Sequence, residues 1–180
     1  MHGIIFAELQ KFAEQKLGFG SWKTLLTKAG LQTKMYLPAG EYPDTEIGAL
    51  VTAAATLSGQ TPTQVLEAFG EFIVPSLLKM YGHLLKPEWK TLEVIEHTEG
   101  TIHTVVRVSD SAAKPPKLRT RRENPNTVVL IYSSPRQMCA LAMGIGKGIA
   151  RHFKEKISIE QTQCMHQGAP NCEIIYKKTG

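Results

Sequence analysis

Three alternating residues in the second half of the chain offer a set of groups suited to binding anions. Tyr132, Ser134 and Arg136 are separated by single residues. Side chains of an extended segment alternate between its two faces, so this spacing predicts that all three point to one side, within about 13 Å of one another. A phenol, a hydroxyl and a guanidinium without an acidic neighbour form a receptor for one or two carboxylates or phosphates.

A histidine about thirty residues earlier, His103, could ligate a metal cofactor that carries such carboxylates. Between it and the anion-binding residues lies the stiff pair Pro115-Pro116, whose second member follows His103 by thirteen residues. Considered alone, His103 could instead be a hydrogen-bonded core histidine, and the two prolines could simply stiffen a loop. The three features carry weight together, because their distances along the chain form one pattern.

This pattern of histidine, Pro-Pro and Tyr-x-Ser-x-Arg resembles that of haem–nitric oxide/oxygen binding (H-NOX) domains. The resemblance runs from Met1 to about Lys178, and the spacing is similar to that of a bacterial stand-alone member. It implies that haem b is the cofactor and that His103 is the axial ligand of its iron. His97 is the alternative ligand, but it lies six residues too early for the family pattern.

The resemblance also assigns the residues that would surround the haem. Tyr132, Ser134 and Arg136 would bind the propionates, and Pro116 would press on the porphyrin and distort it. The residues expected to pack against the macrocycle are all apolar: Ile5, Leu9, Val74, Leu141 and Ile145. For the two isoleucines, ordinary core packing explains the residue type equally well.

The cysteines form a second group that could bind a metal. Cys164 and Cys172 flank the turn sequence 168–171, so a hairpin would bring them close together. Cys139, near the start of the preceding helix, could approach the same point, and His166 could complete a Cys₃His shell for structural zinc. Buried free thiols are the alternative. Certain bacterial H-NOX members that carry zinc cysteines here resemble this chain, which favours zinc.

Helical spacing of apolar residues dominates the first half of the chain. It predicts several amphipathic helices, and Pro75 is expected to kink or divide the one that begins at Pro62. Another helix is predicted over residues 89–95. Residues 97–100 are expected to interrupt it, so that a short turn carries His103.

The pattern changes to strand-like alternation after the Pro-Pro pair. Strands are predicted at 117–123 and 127–133, a helix at 137–153, and a closing hairpin from 157–163 and 172–177. The predicted fold is α+β. A helical N-terminal layer packs on a four-stranded antiparallel sheet that bears one helix, with haem between the two parts.

Length and composition are those of one globular domain. We expect a single H-NOX domain over residues 1–180, with a helical subdomain at about 1–60 and a haem-ligating subdomain at about 61–180. Hydrophobic residues make up 42% of the chain, but no apolar run is long enough to span a membrane. The N-terminus lacks the features of a signal peptide, and three cysteines do not suggest a disulfide framework, so a cytoplasmic location is predicted.

The net charge of +5 arises largely from residues 114–122 and 147–156. We interpret both stretches as solvated surface. Nucleic-acid binding is not expected, because neither stretch carries clustered aromatic residues or a binding motif, whereas an acidic protein partner stays open. The sequence contains no phosphate-binding loop, nucleophile elbow or clustered carboxylate pair, which argues against catalysis.

The resemblance therefore implies a haem-based nitric oxide sensor that is not an enzyme. NO would bind ferrous iron on the side opposite His103, the bond to His103 would break, and strain held by Pro116 would relax. A partner enzyme, either a histidine kinase or a cyclic-di-GMP enzyme, would read the resulting shift. In H-NOX members that hold O₂, a tyrosine donates a hydrogen bond to the bound gas. By resemblance, the matching position in this chain is Leu141. NO and CO, but no stable O₂ complex, are therefore expected.

Two other interpretations fit parts of the sequence. A haem enzyme such as a peroxidase would need polar distal groups, whereas the first helix supplies mainly Ile, Phe and Leu. A zinc-stabilised module that binds a small ligand without haem would keep the cysteine hairpin. Peroxide turnover separates the first alternative from the sensor, and the colour of the purified protein separates the second.

Overall fold

The computed structural model describes residues 1–110 and 113–180. It divides into two compact units, Met1–Phe69 and Gly70–Gly180. The predicted subdomain boundary at about residue 60 precedes the fourth helix, and the observed division falls inside that helix. No helix of the described residues is both long and apolar enough to cross a bilayer.

The first unit is helical. Its elements are α1 (Gly3–Leu17), α2 (Ser21–Lys28), α3 (Asp44–Ser58) and the beginning of α4 (Pro62–Tyr81). Helix α1 contacts both α2 and α3. Apolar side chains at helical spacing form the buried interior of this unit, among them Phe6, Leu9, Phe12, Leu25, Leu50, Val65 and Phe69.

The loop between α2 and α3 is tied to the start of α1. Only glycine fits at position 3, because a β-carbon there would lie 1.9 Å from the carbonyl oxygen of Leu37. The ring of Tyr36 stacks on Phe6 with centroids 4.2 Å apart, and its hydroxyl donates to the Glu46 carboxylate at 2.8 Å. Close backbone approach and a stacked aromatic pair therefore hold this loop in place.

The second unit contains the remainder of α4 and all strands. After α4 the chain forms α5 (Thr91–Thr98), a π-helical turn (Glu99–His103) and α6 (Thr104–Ser109). The strands are β1 (Lys117–Asn124), β2 (Thr127–Ser133), β3 (Ile157–Gln163) and β4 (Cys172–Lys178), and α7 (Cys139–Phe153) connects β2 to β3.

The sheet has the order β1-β2-β4-β3, and all neighbouring strands are antiparallel. Its register places Tyr132 on β2 between Leu118 on β1 and Cys172 on β4. Helices α5 and α7 pack against this sheet, and the strand residues of the shared core alternate with residues of the opposite face. The predicted α+β fold with a four-stranded antiparallel sheet is confirmed.

Glycines allow α4, α7 and the sheet to approach one another closely. A β-carbon on Gly148 would lie 2.5 Å from Cγ2 of Val74, and one on Gly146 would lie 2.2 Å from the ring of Tyr176. The glycine-rich stretch of α7 thus serves packing inside a regular helix. This agrees with the expectation that it is not a phosphate-binding loop.

Pro75 does not divide α4, and the predicted interruption at residues 97–100 is a π-helical turn rather than a break in the chain's helical path. Helix α4 runs unbroken through Pro75, which is exposed, while the preceding Ile73 and Val74 are buried and hold the helix against the core. Helix α5 ends at Thr98, within the predicted interruption, and the turn that follows it carries His103 as expected. The π-helical turn leads directly from α5 into α6, because its wider turn accommodates an extra residue without breaking the helix.

Candidate functional site

His103 is the last residue of the π-helical turn, and its side chain is only 14% exposed. Its Nδ1 lies 2.9 Å from Oε2 of Glu99, four residues earlier. An ionised carboxylate can only accept hydrogen bonds, so Nδ1 carries the proton in this pair. The lone pair of the neutral ring is then on Nε2, which is the nitrogen that can bind a metal.

The protonation states of this pair follow from their surroundings. Burial lowers the pKa of His103 below its usual value, and the hydrogen bond with Glu99 offsets that effect only in part. Burial would raise the pKa of Glu99, but the hydrogen bonds from His103, Arg107 and Leu118 together lower it. A neutral imidazole therefore donates to an ionised carboxylate near pH 7.

Glu99 connects His103 to the segment after the two prolines. Its Oε2 also accepts the backbone N–H of Leu118 at 3.1 Å, and its Oε1 accepts from Arg107 at 2.6 Å. The backbone carbonyl of Pro116 is close enough to the ring to oppose the lowering of the pKa of His103. The structure thus brings together the histidine and the proline pair that lie apart in the sequence.

The alternative ligand, His97, has a different environment. Its ring is stacked on the indole of Trp89, with centroids 4.6 Å apart and planes inclined by 23°. His97 is exposed. The Nζ of Lys86 lies 5.7 Å from the centroid of the same Trp89 ring. A ring held flat against an indole at the surface is poorly placed to ligate a buried metal.

The residues of the Tyr-x-Ser-x-Arg motif form one hydrogen-bonded group at the end of β2. Tyr132 and Ser134 are buried and hydrogen-bond to each other. The backbone N–H of Met138 donates to the Tyr132 hydroxyl at 3.1 Å, and that of Arg136 donates to the Ser134 hydroxyl at 3.2 Å. Burial raises the pKa of Tyr132, so its phenol stays protonated.

Arg136 links this motif to the other end of the proline segment. Its Nη1 donates to the carbonyl oxygen of Lys114 at 2.7 Å. Lys114 directly precedes Pro115-Pro116, and Leu118 follows them. The segment is thus held at its start by Arg136 and at its end by Glu99, so the predicted axial ligand and the predicted propionate-binding residues belong to one connected structure.

The predicted haem-packing residues lie on three helices and one loop. In the second unit, Val74 is buried on α4, and Leu141, Ile145 and Pro116 are partly buried. Ile5 and Leu9 lie on α1 in the first unit. Leu9 is fully buried and Ile5 is partly buried. All six are apolar, as packing against a macrocycle requires.

The chemistry of these groups fits a haem. His103 offers a neutral nitrogen of fixed tautomer, and Arg136 offers a permanent positive charge suited to a propionate. Pro116 stands between His103 and Arg136 along the chain, with its backbone carbonyl near the His103 ring. No acidic side chain belongs to the anion-binding motif itself.

The three cysteines are brought together as predicted from the hairpin. The sulfurs of Cys139, Cys164 and Cys172 all lie within 4.8 Å of one another, and the first and last of these residues are buried. Burial raises the pKa of the Cys172 thiol to about 12. A metal ion bound here would therefore have to displace a proton from a strongly held thiol.

His166 lies outside this cluster. Its exposed ring places Nε2 2.7 Å from the carbonyl oxygen of Gln137, and among the described residues the close group of ligand atoms contains the three thiols alone. In this conformation His166 is hydrogen-bonded to the turn before α7.

Glu99 is the site residue that the sequence analysis missed. The π-helical turn that contains it was expected to be a helix break. The available signal was the spacing, because a carboxylate four residues before a histidine lies on the same helical face. Arg107, which fixes the other oxygen of this carboxylate, follows the same face.

Comparison with known proteins places these features in a family. A protein-family model described as Haem-NO-binding matches residues 2–161. A crystal structure of an H-NOX protein from S. oneidensis in the Fe(II)NO ligation state is similar, with a TM-score of 0.92 and 28% identity over 100% of both chains. An NMR structure of an H-NOX domain from Shewanella oneidensis in the Fe(II)CO state has a TM-score of 0.88 and 28% identity, over 100% of this chain and 99% of that one.

A third similar structure is that of an unliganded Fe(II) H-NOX protein from K. algicida. It has a TM-score of 0.90 and 23% identity, covers 100% of this chain and 97% of that one, and supports the fold. No curated protein sequence matches the chain. The fold and the match over residues 2–161 define a gas-sensing haem module rather than an enzyme. The chain belongs to the Haem-NO-binding family, that of the H-NOX proteins.

Proposed function

We propose that this protein is a haem-based nitric oxide sensor with His103 as the axial ligand. The observation that carries the proposal is the neutral, nearly buried imidazole of His103, held by Glu99 with its other nitrogen available, inside a chain of the Haem-NO-binding family. The related S. oneidensis protein in the Fe(II)NO state supports NO as the ligand. Bound haem supplies ferrous iron, which takes one protein nitrogen and one diatomic gas.

The protein's own residues would orient the cofactor. The guanidinium of Arg136 would bind a propionate, and the hydroxyl groups of Tyr132 and Ser134 would add neutral hydrogen bonds. Pro116 would contact the porphyrin. The partly buried Leu141 and Ile145 of α7 and the buried Val74 of α4 would supply apolar contacts.

Selectivity for NO and CO over O₂ would follow from the lack of a hydrogen-bond donor among the residues expected beside the bound gas. Leu9, Val74 and Leu141 carry no group that could donate a hydrogen bond to a partly negative O₂ ligand. NO and CO depend less on such a donor because bonding to iron supplies most of their stability. We therefore expect the ferrous protein to bind NO and CO and to form no stable O₂ complex in air.

Signalling would depend on the release of His103 by NO. Release would free the ring from its hydrogen bond with Glu99, and the strain that the family resemblance assigns to Pro116 would relax. The partner that reads this change would be a histidine kinase or a cyclic-di-GMP enzyme, with sensor and partner both in the cytoplasm. A partner can respond only if it binds the two states with different affinities.

The cysteine cluster would hold a structural zinc ion. Three cysteine sulfurs within 4.8 Å of one another suit a tetrahedral zinc site, which would bind them as thiolates and to which a fourth ligand must be added. His166 would be that ligand if its ring turned from the Gln137 carbonyl towards the sulfurs. The metal would tie α7 to the closing hairpin of β3 and β4.

An absorption spectrum of the ferrous protein tests the proposed function. The protein, produced in haem-replete cells, is reduced without oxygen and measured alone, with NO, with CO, and in air-saturated buffer. Spectral changes with NO and CO, and no persistent change with O₂, are expected. A colourless preparation would favour a zinc-stabilised module without haem, steady peroxide turnover would favour a haem enzyme, and a stable oxy spectrum would contradict the proposed gas selectivity.

A further inference from the structure

We propose that Glu99 is the positioning residue that sets how firmly His103 holds its metal, and so how readily NO displaces His103. This inference rests on the proposed function and adds what controls the displacement of His103 by NO. The evidence is the geometry of one carboxylate, which accepts a hydrogen bond from Nδ1 of His103 at 2.9 Å on the side of the ring away from Nε2.

Glu99 hydrogen-bonds to His103, whereas the two other glutamates on the same helical run do not. Glu93 and Glu96 both bind Arg122, at 2.9 and 2.6 Å. Glu99 instead turns to His103, because the π-helical turn that starts at Glu99 changes the helical register between them. Insertions of this kind in α-helices occur often at functional sites.

The carboxylate is itself immobilised, so it can hold the ring at a defined angle. Oε1 accepts from Arg107 at 2.6 Å, whereas Oε2 is shared by His103 and the backbone N–H of Leu118. A ligand held by a carboxylate has its tautomer and orientation fixed and becomes a stronger electron donor. The hydrogen bond should therefore strengthen ligation by Nε2 and oppose displacement of the histidine by NO.

The shared oxygen also gives the movement of His103 a route to the rest of the unit. When His103 leaves its position, Oε2 keeps only the bond to Leu118, the second residue of β1. Oε1 keeps its bond to Arg107 on α6. Displacement of the ring would thus change the hydrogen bonds that the Glu99 carboxylate makes to Leu118 on β1 and to Arg107 on α6. Glu99 is in this sense both the holder of the ligand and its link to the sheet.

The test compares Glu99→Gln and Glu99→Ala with Glu96→Gln, a matched control on the same helical run that binds Arg122 instead. Resonance Raman spectra of the ferrous proteins report the iron–histidine stretching frequency. We expect a lower frequency for Glu99→Gln, a still lower one for Glu99→Ala, and the wild-type value for Glu96→Gln. Haem transfer to apomyoglobin should be roughly tenfold faster in the two Glu99 variants.

NO titration provides the second measurement. At a fixed NO concentration, the fraction of protein in which NO displaces His103 should be larger in both Glu99 variants than in wild type and Glu96→Gln. Wild-type frequency and wild-type displacement in Glu99→Gln and Glu99→Ala would overturn the role of Glu99. If Glu99→Ala does not fold, Glu99→Gln decides the question, because it keeps the size of the side chain.

A measurement without haem separates this inference from the proposed function. In the haem-free protein, nitrogen-15 NMR shifts of His103 report which ring nitrogen carries the proton. We expect Nδ1 to be protonated in wild type and the two tautomers to mix in Glu99→Ala. A tautomer unaffected by Glu99→Ala would overturn the inference. A wild type that binds no haem through His103 would instead overturn the proposed function, whatever the tautomer.

Discussion

Gly70 on α4 and Leu141 on α7 touch through their backbones. A β-carbon on Gly70 would stand 2.3 Å from the carbonyl oxygen of Leu141 and 2.9 Å from the backbone nitrogen of Ile145. Both α7 residues are among those expected to contact haem. The position of these two side chains is therefore set by a helix contact that only glycine permits.

Gly70→Ala should force α4 and α7 apart and destabilise the protein by about 1–3 kcal/mol, because backbone atoms cannot move aside as a flexible side chain can. Urea unfolding measures the change. Gly48→Ala is the control, since Gly48 is exposed on α3 and its β-carbon would meet nothing within 4 Å. The control should leave stability unchanged or raise it by up to about 1 kcal/mol. Equal stability of the two variants would contradict the close contact.

His103→Gly should abolish stable haem retention, because it removes the only protein nitrogen proposed to bind the iron. Free imidazole added during purification should restore haem, since it can occupy the vacated space. Haem content per chain and the ferrous spectrum measure both effects. His97→Gly, the control, should keep wild-type haem content, because His97 is stacked on Trp89 at the surface. If the two variants behaved in the opposite way, the axial ligand would be His97.

Arg136→Ala should weaken haem binding by about 1.5–3 kcal/mol, the usual contribution of a hydrogen bond to a charged group. It also removes the bond to Lys114 that holds the start of the proline segment. Substitutions of Tyr132 and Ser134 should have smaller effects, because their hydroxyls are neutral. The rate of haem loss to apomyoglobin measures all three. Arg119→Ala, on the exposed face of β1, should match wild type.

Metal analysis should find one zinc per chain. Cys172→Ala should lower the zinc content and the melting temperature, because a bound structural metal contributes folding free energy and this cysteine is a fully buried member of the cluster. His166→Ala tests the fourth ligand: zinc content should fall in this variant if the ring joins the site. A folded wild type without metal would show that the cluster is a set of buried thiols.

Stability should fall in acid partly through Glu155. Burial would raise the pKa of Glu155, but hydrogen bonds from Lys178 and Thr91 together lower it below its usual value of 4.5. A lowered pKa in the folded state means that the contribution is complete above pH 4.5 and is lost as the pH falls through the folded-state value. Urea unfolding from pH 7 to pH 3 should therefore show a shallower loss for Glu155→Gln than for wild type. Identical slopes would contradict the prediction.

Much of the fold could be predicted because its signals are local. Helical spacing predicted amphipathic helices in the first half of the chain, and alternation predicted strands at 117–123 and 127–133, close to the observed bounds of β1 and β2. Local rules predicted a kink or division at Pro75 and an interruption at residues 97–100, and the tertiary structure decided the form that each took. At Pro75 the helix is not divided, because Ile73 and Val74 hold it against the core. At residues 97–100, α5 ends and a π-helical turn that accommodates the extra residue leads into α6.

The sequence by itself determined which groups are available: one histidine, two prolines, a phenol, a hydroxyl and a guanidinium at recognisable distances, and three cysteines around a hairpin. Only the tertiary structure decided that Glu99 and Arg136 hold the two ends of the proline segment. It also decided that the three thiols converge while His166 binds the Gln137 carbonyl. The physical reason is that residue types limit what a hydrogen bond or a metal site can use, whereas strand register and helix packing determine which of those groups meet.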